Sequence, residues 1–155
     1  MDTAVPMLGR GLYYGSLGIW MGSILMLSLG SKVAFRLLSD RQMAGNLVGG
    51  WLAVYHRLGL VCALGASAAA LYRILVWESQ LWQGPWNAPK QIALARTLLL
   101  ALMVLSHLYA GCILHPEIHR LREAGMTEAF RALHVRSVVL LMANLLFGIA
   151  VIFLS

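Results

Sequence analysis

Charged residues are scarce in this sequence. Asp, Glu, Lys and Arg make up 12% of its 155 residues, whereas a soluble domain has about 25%. Only six of them are acidic, and all six lie in loops, at a terminus or near the ends of long apolar runs. Proton-coupled transporters carry ionisable groups inside the membrane, so this distribution argues against that class. HExxH motifs, glycine-rich phosphate loops and nucleophile–base pairs are also missing, and we expect no enzyme of those kinds.

Cysteine is nearly absent too. The two cysteines, Cys62 and Cys112, both fall inside apolar runs, and no CxxC pair exists. This spacing excludes a thiolate zinc site of the usual type. Free cysteine usually packs as a small apolar side chain, and we expect both residues to be buried in that way.

Apolar residues dominate what remains. They make up 60% of the sequence, and the mean hydropathy is +0.76. Four runs reach the length of about 20 residues that crosses a bilayer. The runs cover residues 11–30, 55–77, 97–114 and 137–154. The sequence therefore predicts a single all-α transmembrane domain over residues 1–155, built as a four-helix bundle in the lipid bilayer.

The net charge of +6 comes from residues that flank these runs. Eight basic residues belong to the first and third connections: Lys32, Arg36, Arg41, Arg57, Arg120, Arg122, Arg131 and Arg136. The other side carries four: Arg10, Arg73, Lys90 and Arg96. Basic loops stay in the cytoplasm, so we expect both termini on the periplasmic side. No basic stripe lies on a soluble face, and we expect no nucleic-acid partner.

Small residues recur on one face of each of the first two runs. They are Gly15, Gly18 and Gly22 in the first run, and Gly59, Ala63 and Ala66 in the second. Lipid gives no hydrophobic drive for helix association, and small residues let two backbones approach closely. We therefore expect the first two helices to pack tightly. Asn144, the only strongly polar side chain of the fourth run, is predicted to hydrogen-bond to a neighbouring helix.

Two segments resemble each other. Residues 41–61 and 122–140 each contain an arginine, an Ala-Gly pair and a short amphipathic stretch, followed by a histidine that enters an apolar run. The histidines are His56 and His134. This pattern predicts two helical hairpins of like orientation, related by an axis along the membrane normal as in parallel-repeat membrane proteins.

The five histidines are the main candidates for chemistry, since histidine is the commonest metal ligand. His115 and His119 are four residues apart, so one continuous helix would place both on one face as a metal site. Pro116 supports the alternative, because proline disfavours helical geometry in the residue before it and fits the first turn of a new helix. His115 would then be an interfacial residue before a short helix.

Histidines from different helices can also ligate haem. The candidates for a haem b site are His56, His107 and His134. Arg57 and Arg136 follow two of them and would hold a haem propionate or an anionic lipid headgroup. The alternative for these arginines is snorkelling, in which the stem lies in the apolar layer and the charge reaches the phosphates.

Eight methionines raise a copper-handling permease as a further alternative, because thioether sulfur suits Cu(I). Four of them lie within the apolar runs: Met21, Met26, Met103 and Met142. They form no MxxM or MxxxM cluster beside a histidine. Flexible packing is therefore the role we expect for them.

Three segments carry a family resemblance: "WMGSILMLSLGSKVAFRLL", "AGNLVGGWLAVYHRLGLV" and "FRALHVRSVVLLMANLLFGIAVIFL". Their most telling parts are Trp20-Met21-Gly22, Ala44-Gly45, and Leu133-His134 with Ser137. From about Gly11 to Leu154 the chain resembles the small bacterial membrane proteins of domain of unknown function 4149, the transmembrane-protein-205-like group. The resemblance implies a four-helix integral membrane protein in the bacterial inner membrane, without an established activity.

The layout is more distantly similar to the copper-resistance D type domain and to the haem-binding membrane protoporphyrinogen oxidase. The Leu-Pro-Arg signature of the latter is missing here, so its activity is not carried over. We expect a non-enzymatic accessory or assembly protein, acting with a membrane-protein partner or as a homo-oligomer. A haem-binding redox protein and a copper-handling permease are the alternatives.

Overall fold

The four apolar runs form four long helices joined by short connections. The computed structural model of the protein describes residues 4–79, 81–83 and 85–155. The α-helical segments are α1 (Ala4–Leu37), α2 (Arg41–Tyr72), α3 (Ala88–Tyr109), α4 (His115–Glu123) and α5 (Thr127–Phe153). Of these, α3 and α4 belong to the same long helix. Short helical segments add Arg73–Trp77 and Ala110–Leu114, which are π-helical, and Leu81–Gln83, which is 3₁₀. The described residues contain no strand, and the predicted all-α class is confirmed.

Four helical stretches are long and apolar enough to cross a membrane: Met7–Leu37, Arg41–Val76, Ala88–Glu123 and Thr127–Phe153. They are longer than the predicted runs. The 34 residues of α1 extend about 51 Å at 1.5 Å per residue, whereas the hydrocarbon core is about 30 Å thick. The chain is thus a multi-pass membrane protein whose helices continue beyond the apolar runs.

The chain divides into two compact units, Met1–Arg73 and Ile74–Ser155. In the first unit α1 packs against α2, and we call this pair hairpin 1. Its turn is short because Asp40 starts the second helix directly. The Asp40 carboxylate accepts hydrogen bonds from the backbone amides of Gln42 at 2.7 Å and Met43 at 3.3 Å, which satisfies two amides that have no partner within the helix.

Close packing in hairpin 1 depends on two glycines. A Cβ added at Gly65 of α2 would lie 2.6 Å from Ser16 Oγ on α1. A Cβ added at Gly30 of α1 would lie 2.9 Å from Trp51 Cζ3 on α2. The two helices therefore approach each other where one of them lacks a side chain.

The predicted tight packing of α1 and α2 is confirmed, but the three glycines of α1 that were predicted to form the contact do not take part in it. A Cβ at Gly15, Gly18 or Gly22 would meet nothing within 4 Å. The small residues of α2 behave differently: Gly59, Ala63 and Ala66 are buried. The physical reason is that α1 buries large side chains, with Leu17, Trp20 and Ile24 fully enclosed. One small face is enough for close approach when large side chains of the other helix fill it.

In the second unit α3 packs against α5, and we call this pair, with α4, hairpin 2. The chain stays helical from Ala88 to Glu123. The alternative prediction, in which the helix ends before Pro116 and a new one begins there, is therefore wrong. Proline lacks an amide hydrogen and its ring clashes with the carbonyl four residues earlier. The π-helical turn Ala110–Leu114 lies directly before it, and there the His115 amide bonds to the Ala110 carbonyl. This wider turn absorbs the proline without ending the helix.

The turn of hairpin 2 depends on Gly125. Its φ is +69°, in the left-handed region where glycine costs least. The Met126 amide bonds to the Leu121 carbonyl at 3.0 Å, and the Gly125 amide bonds to the Arg122 carbonyl at 3.2 Å. This is the Schellman arrangement that ends a helix. The first Ala-Gly pair, at Ala44, lies inside α2 instead, so the two similar segments have different backbone conformations at this point.

Candidate functional site

Asn144 joins the two long helices of hairpin 2. Ser106 Oγ on α3 donates a hydrogen bond to Asn144 Oδ1 on α5 at 2.5 Å. Both Asn144 and the neighbouring His107 are only 2% exposed. The predicted interhelical role of Asn144 is therefore confirmed. An ionisable residue within a membrane span is costly and faces the protein interior, as His107 does here.

The structure does not bring together the two haem-ligand candidates of hairpin 2. His107 is adjacent to Ser106 and so lies near the level of Asn144. His134 precedes Asn144 on α5 by about 15 Å along the helix axis. It is exposed and stacks on Phe130, with ring centroids 5.8 Å apart. Two axial ligands must face the same iron, so His107 and His134 do not form a ligand pair within hairpin 2.

His56, the third haem candidate, lies on α2 of hairpin 1. It is half-buried beside Tyr55, with ring centroids 5.2 Å apart. The adjacent Arg57 is exposed, as is Arg136 on α5. Exposed arginines near the ends of apolar runs suit the predicted contact with anionic headgroups.

His115 and His119 lie on one continuous helix but differ in exposure. His119 is exposed, and its Nδ1 lies 3.3 Å from Glu123 Oε1. His115 is half-buried. Among the described residues, no group of three or more His, Cys, Asp or Glu side chains is placed to hold a metal ion. The metal site at these two histidines remains a prediction.

A buried ion pair and a separate buried lysine lie at the other end of hairpin 2, in the first part of α3. Arg96 Nη2 contacts both carboxylate oxygens of Glu78, at 2.7 and 2.8 Å. Lys90 is only 4% exposed, and its Nζ donates to the Trp82 carbonyl at 3.3 Å. From the sequence, Arg96 and Lys90 contributed only to the predicted orientation of the chain. The pairing was not visible because an irregular connection containing Pro85 separates Glu78 from the helix that carries Arg96.

An apolar groove of about 310 Å³ lies between α1 and α2. The residues that line it include Ser23, Met26, Gly30, Trp51, Val54 and Leu58. Gly30 shapes the groove, because any side chain there would collide with the Trp51 ring. Met26 and Val54 are 72% and 63% exposed, so the groove opens onto the surface of hairpin 1. Its volume is at the lower end of the range for small-molecule sites.

A second surface of α1 is open as well. Gly11, Gly15, Gly18 and Gly22 follow each other at intervals of three or four residues and so share one face. A Cβ at any of them would meet nothing within 4 Å. Large exposed apolar side chains flank this stripe: Tyr14, Ile19, Leu25 and Leu29. We call this surface the glycine face. It is turned away from Ser16, which contacts α2.

Comparison with known proteins gives one match. The model of a family described as a domain of unknown function (DUF4149) matches residues 15–127, which is more than two thirds of the chain. No curated protein matches the chain. No solved structure matches it either.

Proposed function

The chain belongs to the DUF4149 family, and we propose that this multi-pass membrane protein is a non-enzymatic accessory or assembly subunit that holds a transmembrane helix of a partner protein. The glycine face of α1 carries the proposal. In lipid, helices associate where small residues let backbones approach, and this face has four such positions that hairpin 1 itself does not use.

The length of the glycine face favours a helix as its occupant. From Gly11 to Leu29 it extends about 27 Å, close to the full hydrocarbon thickness of about 30 Å. A lipid tail reaches through only one leaflet. The exposed flanking side chains, such as Tyr14 and Leu25, form ridges beside the glycines into which the ridge of a second helix packs.

Charge favours a different protein over a second copy of this chain. Arg36 follows Gly18 by about five full helical turns, so it continues the same face. It is exposed. A second copy packed in parallel would bring its own Arg36 to this position, and like charges side by side disfavour the pairing. A partner helix with an acidic residue at this end and small residues along its span fits the surface.

The test compares two variants that add the same bulk in open space. Gly15→Leu with Gly18→Leu fills the glycine face, whereas Gly49→Leu with Gly50→Leu adds leucines where a Cβ also meets nothing within 4 Å. Complexes are extracted from native membranes in mild detergent and sized by native electrophoresis and mass spectrometry. We expect the wild type and the Gly49/Gly50 variant in a complex with a second protein, and the Gly15/Gly18 variant as the free 17.0 kDa chain.

Two results contradict the proposal. If the Gly15/Gly18 variant stays in the complex as fully as the wild type, then the glycine face is not the contact. If the complex contains only copies of this chain, then the protein is a homo-oligomer and the accessory role is wrong. Thermal unfolding of both purified variants serves as the control for correct folding.

We further propose that the protein lies in a bacterial inner membrane with both termini in the periplasm. The support is the two-to-one bias of basic residues toward the turns of the two hairpins. Single cysteines at Ser39 and Ser155, in a Cys62→Ala, Cys112→Ala background, locate the two sides. We expect a membrane-impermeant maleimide to label only the Ser155 position in intact spheroplasts. Labelling of Ser39 alone would reverse the orientation.

A further inference from the structure

The connection between the two hairpins begins with a helical turn of unusual width. After Tyr72 the chain continues as the π-helical turn Arg73–Trp77. The other π-helical turn is followed by Pro116, whereas this one has no proline within it or directly after it. Helices bend at such turns, which are frequent at functional sites. The boundary between the two compact units, Met1–Arg73 and Ile74–Ser155, falls within this turn.

The residues before this turn are fixed to α1. Tyr72 is the last residue of α2, and a Cβ added at Gly9 of α1 would lie 3.5 Å from its Cδ1 atom. The Tyr72 ring therefore packs over Gly9. Ala69, which lies three residues earlier on α2, is buried as well. The end of α2 thus belongs to the packed interior of hairpin 1.

The residues after this turn are fixed to α3 by two buried cations. The Glu78 carboxylate contacts Arg96 at 2.7 and 2.8 Å, and both side chains are almost enclosed. Further along the connection, the Trp82 carbonyl accepts a hydrogen bond from Lys90 Nζ at 3.3 Å. An irregular connection is the usual place for movement between two bodies, but this one is attached to α3 at both points. The joint between the hairpins therefore lies before Glu78.

We propose that the π-helical turn Arg73–Trp77 is a hinge about which hairpin 1 and hairpin 2 rotate as rigid bodies. Leu75 and Val76 are 64% and 56% exposed, so a change of backbone angles there disturbs little packing. A few residues at the end of an element are what absorb such changes in known hinges. The hinge is separate from the glycine face, and it lets hairpin 2 change its orientation while α1 holds a partner helix.

The movement is largest at the hairpin turns, because they are far from the hinge. The 32 residues of α2 carry the turn of hairpin 1 about 48 Å away. A rotation of about 15°, the size known from rotating subunits, displaces that turn by about 12 Å. A displacement of this size is measurable with spin labels.

The test measures distance distributions by double electron–electron resonance, with one full-length chain in each lipid nanodisc and both native cysteines replaced by alanine. Labels at Ser39→Cys and Thr127→Cys span the hinge. Labels at Leu8→Cys and Ser39→Cys lie within hairpin 1, about 45 Å apart, and labels at Thr127→Cys and Ser155→Cys lie within hairpin 2, about 40 Å apart. We expect the distribution of the spanning pair to be wider than those of the two control pairs by about 12 Å.

A deletion variant asks whether the π-helical turn itself is the hinge. A π-turn holds more residues than an α-turn, so deletion of Leu75 leaves a regular α-turn. We expect the spanning distribution to narrow to the width of the controls, while the unchanged control distances show that both hairpins are folded.

Two results overturn the proposal. The first is a spanning distribution as narrow as the controls in the undeleted chain, and this comparison does not depend on the folding of the deletion variant. The second is a wide spanning distribution that the deletion leaves unchanged while the control distances are kept, because the movement then lies in the connection after Glu78.

Discussion

Breaking the ion pair between Glu78 and Arg96 should destabilise the protein strongly. Both side chains are almost enclosed, at 12% and 6% exposure, so water screens the pair little. Removal of one partner from a buried pair leaves an uncompensated charge and costs about 3–5 kcal/mol. We therefore expect about 3 kcal/mol for Arg96→Gln, and a similar or larger loss for Glu78→Gln.

A double-mutant cycle separates the pair from its surroundings. When both residues become glutamine, no uncompensated charge from the pair remains. The double variant should then lose about as much as one single variant, which corresponds to a coupling energy of about 3 kcal/mol. Unfolding free energies come from reversible SDS titration in mixed micelles, followed by tryptophan fluorescence. Single variants that lose less than 1 kcal/mol, or losses that simply add, would refute the view that this pair is buried and coupled.

Three further changes test the helix ends and the histidines. Gly125→Ala should lower the unfolding free energy by about 1–2 kcal/mol in the same SDS titration, because φ at this position is +69°. Gly49 lies within α2, so Gly49→Ala should not destabilise the protein and serves as the control. Asp40→Ala should lower the unfolding free energy by about 1 kcal/mol, because the N-cap of α2 is lost. Asp40→Asn keeps a capping oxygen and should retain most of the stability. Equal losses in the two variants would exclude a capping role. Visible spectra of the purified protein, oxidised and then dithionite-reduced, should show no Soret band if the accessory role holds. A band that His107→Ala or His56→Ala removes would instead establish the haem protein.

Much of the fold was predictable because the lipid solvent imposes simple rules. Every backbone polar group within the membrane needs a hydrogen-bond partner, so a long apolar run that crosses the membrane forms a helix. The same rule made Asn144 informative: an amide in an apolar run needs a partner, and Ser106 supplies it. The hairpin turns were less visible, since Gly125 acts through its φ of +69° while Gly45 lies inside a helix. A dipeptide motif alone does not distinguish these two conformations.

The site residues were harder to predict because a helix has several faces. Gly15 and Gly18 indicated a surface that another helix could approach closely, but the sequence does not show which helix packs there. Cys112 illustrates the same limit, since it lies in an apolar run and is nevertheless exposed, whereas Cys62 is buried as expected. The pairing of Glu78 with Arg96 depends on how a loop folds back onto α3, and such a long-range contact leaves no periodic signal.

Different interactions stabilise the inside of each hairpin. Substitutions in one hairpin should therefore change stability, whereas substitutions in the other should change binding. Hairpin 2 contains the hydrogen bond of Asn144 and the ion pair of Arg96, so changes there remove buried polar contacts and should lower the free energy of unfolding. Hairpin 1 packs large side chains against small residues and leaves Gly15, Gly18 and the groove open. Substitutions at Gly15 and Gly18 meet open space and remove no internal contact. Their effects should therefore appear in partner binding while the unfolding free energy stays near that of the wild type.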